Sequence, residues 1–210
     1  MKPLAEKDVI DMNKNLIATF SPKECFGVKY PKLLDSALNR PFQTMFGKYL
    51  YPDIFDKAVA LFESLAKNHP FHNGNKRTAF GAMTYFLYVN DHICYMNNED
   101  AANLTVDFVT GKLDFVSVVQ IVKGKTYRKS SWKTWLSHDE NEMLQEINQS
   151  KNKMMVCEEP EDDYDAGQMN EKTKEEVQAE VFANAIPFDE EAFAFIVDMY
   201  YDTFKALVNR

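Results

Sequence analysis

Residues 69–80 read HPFHNGNKRTAF, which brings two histidines, two asparagines, a glycine and a basic pair together in one corner of the chain. Pro70 drives His69 out of helical backbone, and Asn73-Gly74 is a turn dipeptide. A helix then begins near Gly74 or Asn75. Its first backbone N–H groups have no partners within the helix and sit at the positive end of the dipole. Such an end takes anions, phosphate above all. Gly74 brings no side chain to block a close approach. Lys76 and Arg77 add two positive charges in the first turn. Cations are unfavourable there unless an anion offsets them, so both read as phosphate clamps. His69 can exchange a proton near neutral pH and is the candidate base. Phe71 is apolar and anchors the loop in the core. The ingredients of the corner are therefore a phosphate cradle, two cationic clamps and a candidate base.

Other residues invite chemistry less. His69 and His72 stand three apart, as a zinc pair would, but Pro70 lies between them and no third ligand is in view. His92 and His138 read as surface or capping residues, and Tyr85, Phe86 and Tyr88 as core packing. Trp132 and Trp135 suit either a partner surface or a packing seam.

The elements that hold this corner are helical. AEKDVIDMNKNLIAT places Val9, Met12, Leu16 and Ile17 on one stripe, closed by Ser21-Pro22. YPKLLDSALNRP is a short helix between Pro31 and Pro41. The aromatic segment 42–51, with Gly47 at a turn, suits a small hairpin or flap. DIFDKAVALFESLAKN leads into the corner with a broad apolar face, and NKRTAFGAMTYFLYVN leaves it apolar nearly all round, as a central bundle helix is. Further helices are expected near 98–110 and 114–122, capped by Asn98 and Asp114, then at 132–150, 172–185 and 188–208. The acidic stretch around 152–171 reads as a linker.

The chain has 210 residues and is 45% hydrophobic, enough for a core. No apolar run approaches the roughly 20 residues that span a bilayer. The N-terminus lacks a signal-peptide pattern, and three scattered cysteines fit neither zinc nor a disulfide framework, so a reducing cytoplasm is expected. The net charge of −8 is uneven: residues 1–130 hold 17 Lys/Arg against 13 Asp/Glu, and the rest hold 7 against 19. The acidic part could fold back on the anion site. Alternatively, the stripe Phe193, Phe195, Ile196, Met199 and Tyr200 could bind a partner or a second copy, giving a homodimer through the C-terminal helices.

The corner resembles the motif of the Fic/Doc family in its Doc (death-on-curing) branch, His-x-Phe-x-(Asp/Asn)-(Gly/Ala)-Asn-Lys-Arg. His69, Phe71, Asn73, Gly74, Asn75, Lys76 and Arg77 fill every specified position. LLDSALNRP, the aromatic segment up to LYPDIFDKAVALFESLAKN and the helix after the corner are also Doc-like, so the resemblance covers about residues 4–123.

The resemblance implies a mostly α Fic/Doc helical bundle with a small flap hairpin over residues 1–128. An acidic helical extension over 129–210 resembles nothing comparable. It implies a toxin of a toxin–antitoxin system that transfers a nucleotide-derived group to a protein hydroxyl, with ATP or another nucleoside triphosphate as substrate and Mg²⁺ alongside. His69 would take the hydroxyl proton. Asn73, Gly74 and Asn75 with the helix N-terminus would hold phosphates, Lys76 and Arg77 would neutralise charge, and the flap would hold the target by added-strand pairing. AMP-transferring Fic enzymes usually have Gly at the position of Lys76 and a second Arg at that of Phe80. These departures point to the Doc branch and phosphate transfer, with nucleotide transfer as the alternative. Asn73 stands where Fic enzymes place an acidic Mg²⁺ ligand, and an amide oxygen is a weaker donor to that ion. A degenerate binding module is therefore a third reading. Elongation factor Tu is the target the resemblance suggests. The inhibitory pattern (Ser/Thr)-x-x-x-Glu-(Gly/Asn) is absent from the sequence, so an antitoxin would act in trans. Neither membrane nor nucleic acid is expected as a partner.

Overall fold

In the computed structural model, residues 1–130 and 188–208 are described. Helix α1 spans Glu6–Phe20, where the Asp8 carboxylate reaches back to accept the Ala5 N–H at 3.1 Å, and it buries Val9, Met12, Leu16 and Ile17 as the spacing predicts. Helix α2 spans Pro31–Asn39, with proline at its first turn where no N–H is needed. A 3-10 turn, Arg40–Phe42, leads into a hairpin of β1 (Thr44–Met45) and β2 (Lys48–Tyr49). Phe46 and Gly47 turn it, both at positive φ. The expected flap is therefore present.

Helix α3 (Ile54–Asn68) is started by Asp53, which accepts the Phe55 N–H at 3.1 Å. Helix α4 (Asn75–Val89) buries every residue from Arg77 to Leu87. It is the centre of the bundle, with α3, α1 and the C-terminal helices around it. Helix α5 (Asn98–Val109) is capped by Asn97, which accepts the Asp100 N–H at 2.7 Å; the expected cap, Asn98, lies one residue inside. Helix α6 (Phe115–Gly124) is capped by Asp114 as expected. Strand β3 (His92–Cys94) pairs antiparallel with β4 (Thr126–Arg128), with His92 opposite Arg128. His92 is thus a strand residue whose ring packs edge-on against Phe55 at 5.7 Å.

Helices α7 (Glu190–Met199) and α8 (Tyr201–Ala206) complete the described chain. They belong to the same core as the motif helix. The Phe193 ring lies so close to α4 that a Cβ on Gly81 would stand 3.4 Å from it. The Tyr200 hydroxyl donates to the Cys94 carbonyl at 2.9 Å and accepts the Met96 N–H at 3.2 Å. Thr203 Oγ1 donates to Asn98 Oδ1 at 2.7 Å, and Phe204 packs on Phe80 at 6.0 Å. Two expectations are corrected here. Residues 188–208 are not an extension outside a domain ending at 128. Nor does the whole stripe need a partner: α4 and its neighbours cover Phe193, Ile196 and Tyr200, while Phe195 is 36% exposed and Met199 is half-buried. Aromatic side chains of this size give up large apolar areas wherever a face is offered, and the nearest face is on the same chain. The expected helices at 132–150 and 172–185, the linker 152–171, and Trp132, Trp135 and His138 lie outside the described residues.

Candidate active site

The motif corner joins the end of α3 to the start of α4. His69 is the C-cap of α3, in left-handed backbone at φ 50° and ψ 55°, with an exposed side chain. That conformation suits the turn out of a helix that cannot continue into Pro70. Phe71 is 1% exposed and anchors the loop, as its type implies. The Asn75 side chain clips this loop onto α4. Its Oδ1 accepts the Phe71 N–H at 2.9 Å and its Nδ2 donates to the Phe71 carbonyl at 3.0 Å. The side chain of Asn75 thus shapes the loop.

A second segment, residues 25–30, flanks the motif. Val28 bridges Phe71 antiparallel, the Lys29 and Tyr30 N–H groups donate to the Pro70 carbonyl, and the His72 N–H donates to the Gly27 carbonyl. Asn73 Nδ2 donates to the Cys25 carbonyl at 2.9 Å. At the centre of these contacts is Asn13 of α1, which is fully buried. Its Nδ2 donates to the Asn73 carbonyl at 2.9 Å and to Thr78 Oγ1 at 3.0 Å, and its Oδ1 accepts the Gly27 N–H at 3.1 Å. The sequence reading missed Asn13. The available signal was a short amide flush against the α1 stripe, where an aliphatic side chain would be ordinary.

Gly74 is the N-cap of α4 at φ 72°, and no side chain caps that end. The first backbone bond of the helix is the Thr78 N–H to the Gly74 carbonyl at 2.8 Å, so the N–H groups of Asn75, Lys76 and Arg77 precede it, as a phosphate cradle requires. The glycine serves packing as well as approach: a Cβ there would stand 3.0 Å from Ile17 Cδ1. Gly74→Ala is accordingly expected to lower stability by about 1–3 kcal/mol, from left-handed strain plus overpacking. Urea unfolding measures this, and an unchanged midpoint would remove the packing role.

The two basic residues part company. Lys76 is half-buried on the first turn. Arg77, expected as a second clamp, points the other way, into the bundle. Its side chain is 3% exposed, and Nη1 donates to Ser21 Oγ at 3.0 Å while Nη2 pairs with the Glu24 carboxylate at 3.1 Å. Burial pulls the guanidinium pKa below its ordinary value, and Glu24 opposes that shift. The helical period explains this. One position past Lys76, the chain has turned about 100° towards α1. Arg77 therefore fixes segment 21–30 against α4, which leaves Lys76 as the candidate clamp of the first turn.

Phe80, where the resemblance would place a second arginine, is fully buried between Phe62, Tyr200 and Phe204. Among the described residues the most exposed large apolar side chain is Phe46 at the tip of the flap, 96% exposed. Among the described residues no group of three His, Cys, Asp or Glu side chains converges to hold a metal, and no helix is long and apolar enough to cross a membrane. A groove of about 350 Å³ between α1 and α7, floored by Phe193 and Val197, contains none of the motif residues.

Comparison with known proteins agrees with this geometry. Residues 3–87 match the family model described as Fic/DOC. Over 58 residues the chain is 52% identical to Toxin Doc of Mycolicibacterium smegmatis (strain ATCC 700084 / mc(2)155), a match covering 28% of this chain and 45% of that toxin. The similarity thus spans less than half the length of the curated relative. The part of this chain that carries the whole motif, residues 3–87, is thus similar to the Fic/DOC family.

Proposed function

We propose that this chain is a Doc-type toxin that transfers the terminal phosphate of a nucleoside triphosphate, ATP first, to a hydroxyl of a target protein. The observation that carries the choice is Phe80. A position that would carry arginine in an AMP-transferring Fic enzyme is here a fully buried ring, so no cation can stand there to read a distal phosphate. The uncapped start of α4 would take the phosphate chain, with Lys76 neutralising the charge that develops on it. The target oxygen would bond to the terminal phosphorus as the bridging P–O bond breaks. The nucleoside diphosphate leaves, and His69 takes the hydroxyl proton. Asn73 spends its amide nitrogen on Cys25, which leaves its amide oxygen as the group that would hold a magnesium ion arriving with the nucleotide. Such an ion would supply charge neutralisation on the phosphates.

The exposed flap would receive an extended stretch of the target, for which elongation factor Tu is the first candidate. An antitoxin would be a separate chain, and the setting would be the cytoplasm. Incubation with γ-labelled and α-labelled ATP, Mg²⁺ and a bacterial lysate tests the proposal. Label entering protein from the γ position is expected. Label from the α position would make the chain a nucleotide transferase, and label from neither would make it a binding module. Lys76→Gly is expected to weaken ATP binding about tenfold, the size of one charge-assisted contact. Calorimetric titration checks this, and unchanged affinity removes Lys76 from the cradle.

A further inference from the structure

Lys57, in the first half of α3, is 4% exposed and has no part in the mechanism above. Lysine is almost never that buried without compensation. Its compensation comes from the flap and the turn before it. The ammonium lies 4.2 Å from the centre of the Tyr49 ring and 5.8 Å from that of Phe42, and it donates to the Tyr51 carbonyl. Tyr51 is held in turn by Arg40, whose Nε donates to the Tyr51 hydroxyl at 2.9 Å while Nη1 and Nη2 reach Ser64 and Glu63. The hairpin above has only two residues in each strand, all exposed. Its base is closed by the Leu50 N–H to the Gln43 carbonyl at 2.9 Å. A two-stranded ribbon of that size has no stability of its own in water. Its position therefore rests on what grips its base.

We infer that Lys57 is the latch of the flap, a positioning residue that holds the hairpin down on α3 through Tyr49 and Tyr51 and so sets the edge offered to a target. The target part of this inference rests on the proposed function; the latch itself does not. Lifting the flap takes Tyr49 and Tyr51 off the ammonium and returns it to water. The charged groups acting on it are Asp56 and Asp53 at the start of α3; the titratable flap residues beside it are Tyr49, through its ring, and Tyr51, through its carbonyl, with Arg40 behind Tyr51. Lys123 of α6 is engaged with Asp53 at 3.2 Å. Burial pulls the Lys57 pKa from its ordinary 10.5 down to about 8, against the pull of Asp56 and Asp53. The closed flap thus binds the proton less tightly than the open one. Closing is insensitive to pH below about 8 and becomes more favourable as pH rises from there towards 10.5.

Hydrogen–deuterium exchange of residues 43–51 in the full chain tests this, corrected for the chemical pH dependence of exchange. Protection of the wild-type flap is expected to rise about tenfold between pH 7 and pH 9. Lys57→Met and Lys57→Arg, which do not titrate in that window, are expected to show no such rise. A wild-type flap with flat protection, or a rise that persists in either variant, overturns the latch. If Lys57→Met fails to fold by urea titration, Lys57→Arg and the wild type still decide. In the γ-phosphate assay, Lys57→Met, which unlike a neutral amine cannot donate to the Tyr51 carbonyl, should raise the KM for the protein target and leave that for ATP unchanged. Equal effects on both would overturn the positioning role. The exchange readouts need neither nucleotide nor target, so failure of the latch and failure of phosphate transfer are separable.

Discussion

His69→Ala is expected to lower phosphate transfer by about 10²–10⁴-fold, the usual worth of a general base, with little change in the urea midpoint. Both halves follow from where the residue sits. Its ring is exposed at the end of α3, beside the uncapped start of α4, so truncation opens no cavity. The variant with least backbone strain is His69→Asn, because His69 has a φ of 50° and asparagine tolerates left-handed backbone better than alanine. His69→Asn keeps the turn and loses the base. It should therefore match His69→Ala in lost activity and match the wild type in stability. Near-normal transfer by both variants would show that another group accepts the proton. Loss of activity that tracked loss of stability would instead make His69 a turn residue.

The motif was legible because its demands are local. Pro70, Asn73 and Gly74 fix a turn by their own backbone preferences, and helical spacing on either side fixes α3 and α4. The parts that were not legible depend on contacts between segments far apart in the chain. Arg77 reads as a clamp beside Lys76, yet its partners Ser21 and Glu24 lie more than fifty positions away, and only the fold shows that it faces them. Asn13 joins α1, segment 25–30 and the motif through three hydrogen bonds, a role that no period in the sequence encodes. Strands β3 and β4 pair three residues with three across an intervening pair of helices, too short a run to show alternation. The apolar stripe of α7 was visible. What covers it was not, because an amphipathic pattern gives the direction of a face and leaves its partner unnamed.

That last point carries the second large effect. Ending the chain at residue 150 would look like a clean way to ask whether the acidic tail blocks the site. The structure makes it a test of folding instead. It removes Phe193, Ile196, Tyr200 and Phe204, each at most 3% exposed, and uncovers Gly81, Tyr85 and Phe80 on the motif helix. Truncating one buried aromatic to alanine costs about 3–5 kcal/mol. Losing several exceeds most of the roughly 5–15 kcal/mol that holds a domain together. The Cys94 carbonyl and the Met96 N–H would also lose their shared partner, the Tyr200 hydroxyl. The shortened chain is expected to show no cooperative thermal transition, and the single variant Phe204→Ala in the full chain to lose about 3–5 kcal/mol in urea. A shortened chain that melts cooperatively near the wild-type temperature would mean that α7 and α8 are dispensable to the core. Since α4 carries the proposed phosphate cradle at one end and is packed by Phe193, Tyr200 and Phe204 further along, any fall in transfer on shortening the chain must first be read as a loosening of that helix.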